Sequence, residues 1–349
     1  MEAGATNASP SAFGWQFQVE SGIYLMLLSL SKNQCLNIEG YEQDVEILRK
    51  NGSYLIAQAK SSKDYFEPFE QADKDGYSHK VKSHLRKGVK GLLASHEALS
   101  KKRAKVEEII YISNFHKPFG HKGSRCWNEC ERRKYDELEP YEQQALKNAL
   151  EGVDCAVIDK LWVHSLPFEG CCDFETAHKW VLHYVRKLLR ELGLSEVHAE
   201  RYLEKIHTLC SYSTTDVKFK CHIEDFVWSA VAYGLEFDDS VFPKCFPAFD
   251  EIKTVEYIKE KYNSIIQSTT SRFSICNAVM SLFEGKEYNC ESQKERVRRF
   301  MDEHYGMLDD IIPPNMEEEE SVALKKYIMY QIITSRYILN KANSKFLRK

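Results

Sequence analysis

The stretch from Leu36 to Lys60, LNIEGYEQDVEILRKNGSYLIAQAK, limits the fold of this chain more than any other, because three short extended segments follow one another with turn chemistry between them. In the middle segment Val45 and Ile47 fall on one side while Asp44 and Glu46 fall on the other, the alternation of a half-buried strand. Asn51 and Gly52 both tolerate positive φ and predict a two-residue hairpin turn. On the return, Leu55, Ala57 and Ala59 share one face, and Tyr54, Ile56, Gln58 and Lys60 share the other. A twisted hairpin of this kind can bring the Asp44 carboxylate, the Gln58 amide and the Lys60 ammonium to one end of a small sheet.

That grouping suits one chemistry. A hard divalent cation such as Mg²⁺ takes oxygen ligands and keeps several waters, so a carboxylate, an amide or backbone carbonyl and a substrate phosphate suffice to hold it. An ion held there polarises a phosphoryl oxygen and acidifies a bound water, and a neighbouring ammonium steadies the developing charge. Hydrolysis of a phosphodiester asks for those parts. An aspartate and a QxK pair on a hairpin also fit a solvated polar face with no chemistry at all.

The order of Asp44, hairpin and Gln58-Ala59-Lys60 resembles the PD-(D/E)XK motif of restriction-endonuclease-like nucleases, in the variant with glutamine before X-Lys. The preceding FGWQFQVESGIYLMLL, with Gln18 on an otherwise apolar helix, and Glu39 at the end of LNIE are similar to one branch. That branch is the effector nuclease domain of CBASS antiphage systems, shared by Lamassu and other bacterial defence operons. The resemblance covers about the first 230 residues. It implies an α/β (α+β) restriction-endonuclease-like domain with a mixed central sheet, closed by a helical segment, over residues 1–235. The residues themselves set the boundary in Phe237 to Asp250, which holds Pro243 and Pro247, and predict an all-helical interaction region over 236–349.

The resemblance also assigns roles. Asp44, Gln58 and a second carboxylate would hold Mg²⁺ or Mn²⁺, and Lys60 would orient the attacking water or stabilise the phosphorane. Because Gln58 is a weaker ligand than a carboxylate, the second acid must come from elsewhere; Glu39 is favoured and Glu20 is the alternative. Gln18 would hydrogen-bond near the active sheet, although a partly exposed amide with no role is the plainer reading of it. The implied protein is a DNA endonuclease restrained until a sensor, an SMC-type ATPase or another subunit of its operon, detects infection. A double-strand cut by one such centre per protomer implies homo-oligomers. An RNA nuclease, and a catalytically inactive nuclease fold serving as a binding scaffold, remain as alternatives.

Charge is distributed unevenly. The net charge is −4, yet Lys74 to Lys105 contains ten Lys/Arg against two acidic residues. Val81, Leu85, Val89, Leu92 and Leu93 recur there at helical spacing, predicting a helix or helix pair whose outer face carries Lys80, Lys82, Arg86, Lys87 and Lys90. Such a face can meet DNA phosphates by counterion release, or simply be solvated. His116, His121, Cys126 and Cys130 run in the order H-x4-H-x4-C-x3-C, ligand types that suit zinc. Their spacing matches no standard finger, so a structural zinc stands beside the plainer reading of a loop that happens to contain them.

Eleven irregularly spaced cysteines and no secretory leader point to reduced thiols in a cytoplasmic protein. The apolar run Ile23 to Leu30 is too short to span a bilayer. No GxxxxGK[ST] loop is present, so ATP use is not written into this chain. Further strands are predicted at Glu108 to Asn114 and Cys155 to Val163. Helices follow from Phe174 onward, the first with Trp180, Tyr184, Leu188 and Leu192 as its buried stripe.

Overall fold

A computed structural model describes residues 9–38, 43–62, 78–120, 125–127, 129–149, 158–168, 173–215, 219–234, 257–258, 261–262, 264–266, 268–269, 272–290, 292–313 and 315–347. Helix α1 spans Ser9–Leu28 and leads into strand β1, Asn33–Ile38; β2 (Val45–Arg49) and β3 (Tyr54–Lys60) form the hairpin. Helix α2, His79–Lys101, precedes β4, Val106–Ser113, and β5, Glu131–Lys134. Helix α3, Pro140–Ala149, precedes β6, Leu161–Ser165. The seven-stranded mixed sheet runs β5-β6-β4-β3-β2-β1-β7, β7 being the short Cys221–His222. Strands β3, β4 and β6 are parallel, and the remaining pairs are antiparallel.

The register sorts the side chains into two faces. Ile38 lies opposite Val45, Val45 opposite Ala57 and Ala57 opposite Ile110, so these share a face with Leu36, Ile47, Leu55 and Ala59. Helix α1 packs there, its Gly22 so close that a Cβ would meet Ile38 Cδ1 at 3.0 Å. The sequence marks this as an otherwise apolar helix interrupted at Gln18, and just after that residue Val19 through Leu27 are buried without interruption. The segment is apolar nearly all round, as a helix enclosed on several sides must be. Asn33 closes its C-terminus by donating to the Met26 carbonyl at 2.9 Å.

The opposite face carries Ile56, Ile109, Tyr111, Leu161 and Val163 against Leu85, Val89 and Leu92 of α2, which realises the helical spacing read in the sequence. At the hairpin tip the two-residue turn gives way to a three-residue loop, Lys50 to Gly52. The Arg49 N–H donates to the Ser53 carbonyl, and Gly52 alone takes positive φ, +78°. Asn51 contributes instead through its side-chain oxygen, which accepts from the Ser53 N–H and hydroxyl.

Other expectations shift. The strand sought at Cys155 to Val163 lies at Leu161–Ser165, after a 3-10 turn at Ile158–Lys160; residues 155–157 are outside the described set. The helix from Phe174 is broken at His178 into α4, Phe174–Ala177, and α5, Lys179–Leu192. Its buried stripe is Val181, Leu182, Val185, Leu188, Leu189 and Leu192, with Trp180 and Tyr184 only half-buried. Gly193, φ +83°, ends α5 by a double cap: its N–H meets Arg190 and the Leu194 N–H meets Leu189. Helices α6 (Ala199–Thr215) and α7 (Ile223–Gly234) follow.

The chain divides into two compact units, Met1–Lys187 with Leu203–Ile223 and Lys349, and Leu188–Tyr202 with Glu224–Arg348. In the second, α8 (Phe273–Gly285) and α9 (Gln293–His304) both pack on α10, Glu318–Thr334. Glu318, Glu319 and Glu320 form the first turn of α10, where acid favours the helix dipole. A short α11, Arg336–Ala342, follows. No helix among the described residues is long and apolar enough to cross a membrane.

Candidate functional site

Parallel β3 and β4 both end at one edge of the sheet, at Lys60 and Ser113, and antiparallel β2 begins there, just after Asp44. Asp44 Oδ2 accepts the Ala59 N–H at 3.0 Å and lies 3.3 Å from Lys60 Nζ. The carboxylate thus takes the place of a ladder carbonyl just beyond the last β2 pair. Both side chains are mostly covered, Asp44 at 15% and Lys60 at 24% exposure, so the pair is held and still reachable.

Beyond Lys60 the chain is fixed by Asn114. Its carboxamide accepts the Ser62 N–H at 2.9 Å and donates to the Ser62 and Phe168 carbonyls at 2.8 and 3.1 Å. Lys80 of α2 donates to the Ser62 hydroxyl at 3.0 Å.

Gln58 lies on the same strand face as Lys60, beneath α2. A Cβ added to Gly91 would stand 3.2 Å from Gln58 Oε1, and one on Gly88 would stand 2.8 Å from the Tyr111 ring. Two glycines one turn apart therefore let the helix settle over the amide. Gln43, 7% exposed, donates to Ser95 Oγ at 2.6 Å, while its Oε1 has no partner among the described residues.

The basic residues of α2 divide between two sides. Lys80, His84, Lys87 and Gly91 follow one another at helical spacing on the side toward Lys60. Burial, then the positive charges of Lys60, Lys80 and Lys87, push the His84 imidazole down to about 4. Lys82 and Arg86, with His79, Ser83, Phe119 and Asn148, line a hollow of about 440 Å³. Lys90 is half-buried. His84 was not singled out in the sequence, where it is one histidine in a basic helix; its relation to Lys60 exists only in three dimensions.

The remaining candidates fall elsewhere. Glu39 lies outside the described residues, and Gln18 is half-buried on α1. Glu20, also on α1, is 1% exposed, and its Oε2 is taken by His178 Nδ1 at 2.9 Å and His207 Nε2 at 2.7 Å. Its helix covers the face opposite Gln58 and Lys60. Nothing in the sequence announces these histidines, which stand 158 and 187 residues away.

Of the sulfur and imidazole set, His121 lies outside the described residues. The other three, His116, Cys126 and Cys130, do not gather their ligand atoms: the Glu20, His178, His207 trio is the sole such group among the described residues. Burial pushes the Cys130 thiol up to about 11, and it pairs with Tyr24.

The oxygen donors suit a hard cation in kind. Asp44 offers a carboxylate, Gln58 an amide oxygen, and Gln43 a buried oxygen with a lone pair unmet among the described residues. Lys60 supplies fixed positive charge beside them.

No protein-family model matches the chain, and no curated protein matches it in sequence. Among solved structures, a Cap4 SAVED/CARF-domain containing receptor from Moraxella osloensis overlaps with a TM-score of 0.36 at 14% identity, covering 63% of this chain and 47% of that one. The Acinetobacter baumannii Cap4 SAVED/CARF-domain containing receptor, with the cyclic trinucleotide 2'3'3'-cAAA or 3'3'3'-cAAA, overlaps at 0.36 and 0.37. Both are 13% identical and cover 62% of this chain and 45% of that one. The chain thus spans about half the length of these structures, and overlaps this loose carry no argument about its fold or its work.

Proposed function

We propose that the chain is a metal-dependent nuclease that hydrolyses DNA phosphodiesters. The observation that carries this reading is the Asp44 carboxylate held 3.3 Å from the Lys60 ammonium at the end of β3. Asp44, with the Gln58 amide and Glu39, would hold Mg²⁺ or Mn²⁺, which when bound lowers the pKa of water and polarises the phosphoryl group. Lys60 stabilises charge that builds on the phosphoryl oxygens, and its position is fixed from one side by Asp44. Lys80 and Lys87 extend the positive surface toward a bound backbone. The setting, a bacterial antiphage operon whose sensor, such as an SMC-type ATPase, releases the nuclease on infection, rests on the sequence resemblance alone.

The test is cleavage of supercoiled plasmid and of tRNA by purified protein, alone and with its operon neighbours, with Mg²⁺ or with chelator. Plasmid cutting by the wild type that needs the metal and disappears in Lys60→Ala supports the reading. Cutting of tRNA alone moves the substrate to RNA. Wild-type cutting unaltered by the substitution, or no cutting in any combination, removes it.

A further inference from the structure

We propose that Glu20, His178 and His207 form a binding site for one transition-metal ion of the zinc class, on the other face of the sheet from the Asp44 and Lys60 pair. The three residues come from α1, from the break between α4 and α5, and from α6, all within the first compact unit. One ligand atom from each lies within 4.8 Å of the other two. Sequence separation makes this a tertiary arrangement that no local element would produce by itself.

Glu20 is the unusual member. A carboxylate at 1% exposure is costly unless its charge is met, and among the described residues no Lys or Arg pairs with it. Burial disfavours its charged form, but the two imidazoles more than offset this and hold its pKa below the ordinary value. Two imidazole nitrogens and one carboxylate oxygen are the donors of a borderline ion, three protein ligands leaving a position for water. Mg²⁺, which prefers oxygen throughout, does not suit this set, so with Mg²⁺ at the Asp44 centre the two proposed sites do not compete for one ion.

The surroundings favour a held site with access. His178 leaves helical geometry, at φ −104° and ψ 13°, and its ring is packed by Phe174 and Phe168 with centroids at 4.3 and 5.6 Å. The two histidine side chains keep 14% and 21% exposure, a route for an ion and its water. Donors bound tetrahedrally at about 2.0–2.2 Å stand roughly 3.3 Å apart. The present 2.9 and 2.7 Å therefore ask the rings to withdraw by about half an ångström as their N–H protons are lost. A bound ion would clip α1 to the α4–α5 junction and to α6.

The rival is a hydrogen-bonded trio that never meets a metal. Full-length protein, stripped with chelator, is titrated with Co²⁺ and with Zn²⁺. Expected are one tight equivalent, Co²⁺ visible bands without the near-ultraviolet charge transfer of thiolate ligands, and a rise in Tm with Zn²⁺. Glu20→Gln and His207→Ala, checked for fold by circular dichroism, lose that equivalent, whereas Asp44→Ala keeps it. Failure of the wild type to bind, thiolate charge transfer, or binding undiminished in both folded variants would overturn the site. The wild-type titration decides the matter even if a variant fails to fold.

Discussion

Lys60 Nζ stands 3.3 Å from Asp44 Oδ2, and that same oxygen accepts the backbone N–H of Ala59, the residue before the lysine. One carboxylate therefore aligns the strand end and the ammonium together. Removing the ammonium leaves the Ala59 hydrogen bond in place, and a partly exposed ion pair contributes about 1 kcal/mol or less to stability. Lys60→Ala is expected to shift Tm little while cutting phosphodiester cleavage by roughly a hundredfold or more, the scale of a lost charge-stabilising donor. Asp44→Asn retains an acceptor for Ala59 and should likewise fold and fail to cut. Plasmid cleavage beside thermal denaturation separates the two effects.

His84 reports on the charge around Lys60. Burial first, and then Lys60, Lys80 and Lys87, hold its imidazole at about 4 instead of the ordinary 6.5. The unfolded chain therefore binds a proton at higher pH than the folded one. Stability from this group is present above about pH 6.5 and is lost as the pH falls toward 4. A histidine NMR titration is expected to show the low value, raised in Lys60→Ala and raised again when an oligonucleotide phosphate occupies the site. An unchanged value with bound oligonucleotide would place the nucleic acid elsewhere.

The two glycines of α2 make a pair of contrasting tests. Gly88→Ala would set a Cβ 2.8 Å from the fully buried Tyr111 ring, and such overpacking costs about 1–3 kcal/mol, more than the helix propensity gained. Gly91→Ala presses at 3.2 Å on Gln58 Oε1, an amide that is only half-buried and able to yield. It is expected to leave Tm nearly unchanged and to reduce cleavage, because the displaced group is the proposed metal-side amide. Gly14→Ala in α1 meets nothing within 4 Å and should stabilise by about 0.5–1 kcal/mol. Urea melts of the three variants rank them.

How much of this was legible in the sequence follows from the range of each interaction. Alternation of period two fixed which residues of β2 and β3 share a face, and helical spacing fixed the buried side of α2, because both are local rules. Asp44 and Lys60 were recoverable because a hairpin brings residues 16 positions apart together. The strands β5 and β7 were missed: ERRK is a short polar edge strand, and Cys221–His222 is only two residues long. The break at His178 was missed because its neighbours keep apolar helical spacing across it. His84 beside Lys60, and His178 and His207 on Glu20, depend on how separate elements pack, which no periodicity encodes.

The hairpin tip carries a last consequence, for acid stability. Arg49, almost fully covered, donates to Glu107 at 2.9 Å and pairs with Glu108 at 2.9 Å, while Asn51 and Lys105 also reach Glu107. Hydrogen bonds from Lys105 and Ser53, with Arg49 behind them, hold the Glu107 carboxyl at about 2. A depressed carboxyl contributes stability that is complete above its ordinary value near 4.5 and is lost as the pH falls toward 2. Wild-type Tm is therefore expected to drop between pH 5 and 3. Glu107→Gln should start about 1 kcal/mol less stable at neutral pH, since Arg49 loses a charged partner, and should fall less steeply over that range. Parallel Tm curves for the two proteins would mean that Glu107 does not anchor the turn, and that the tip is held by Gly52 and Asn51 alone.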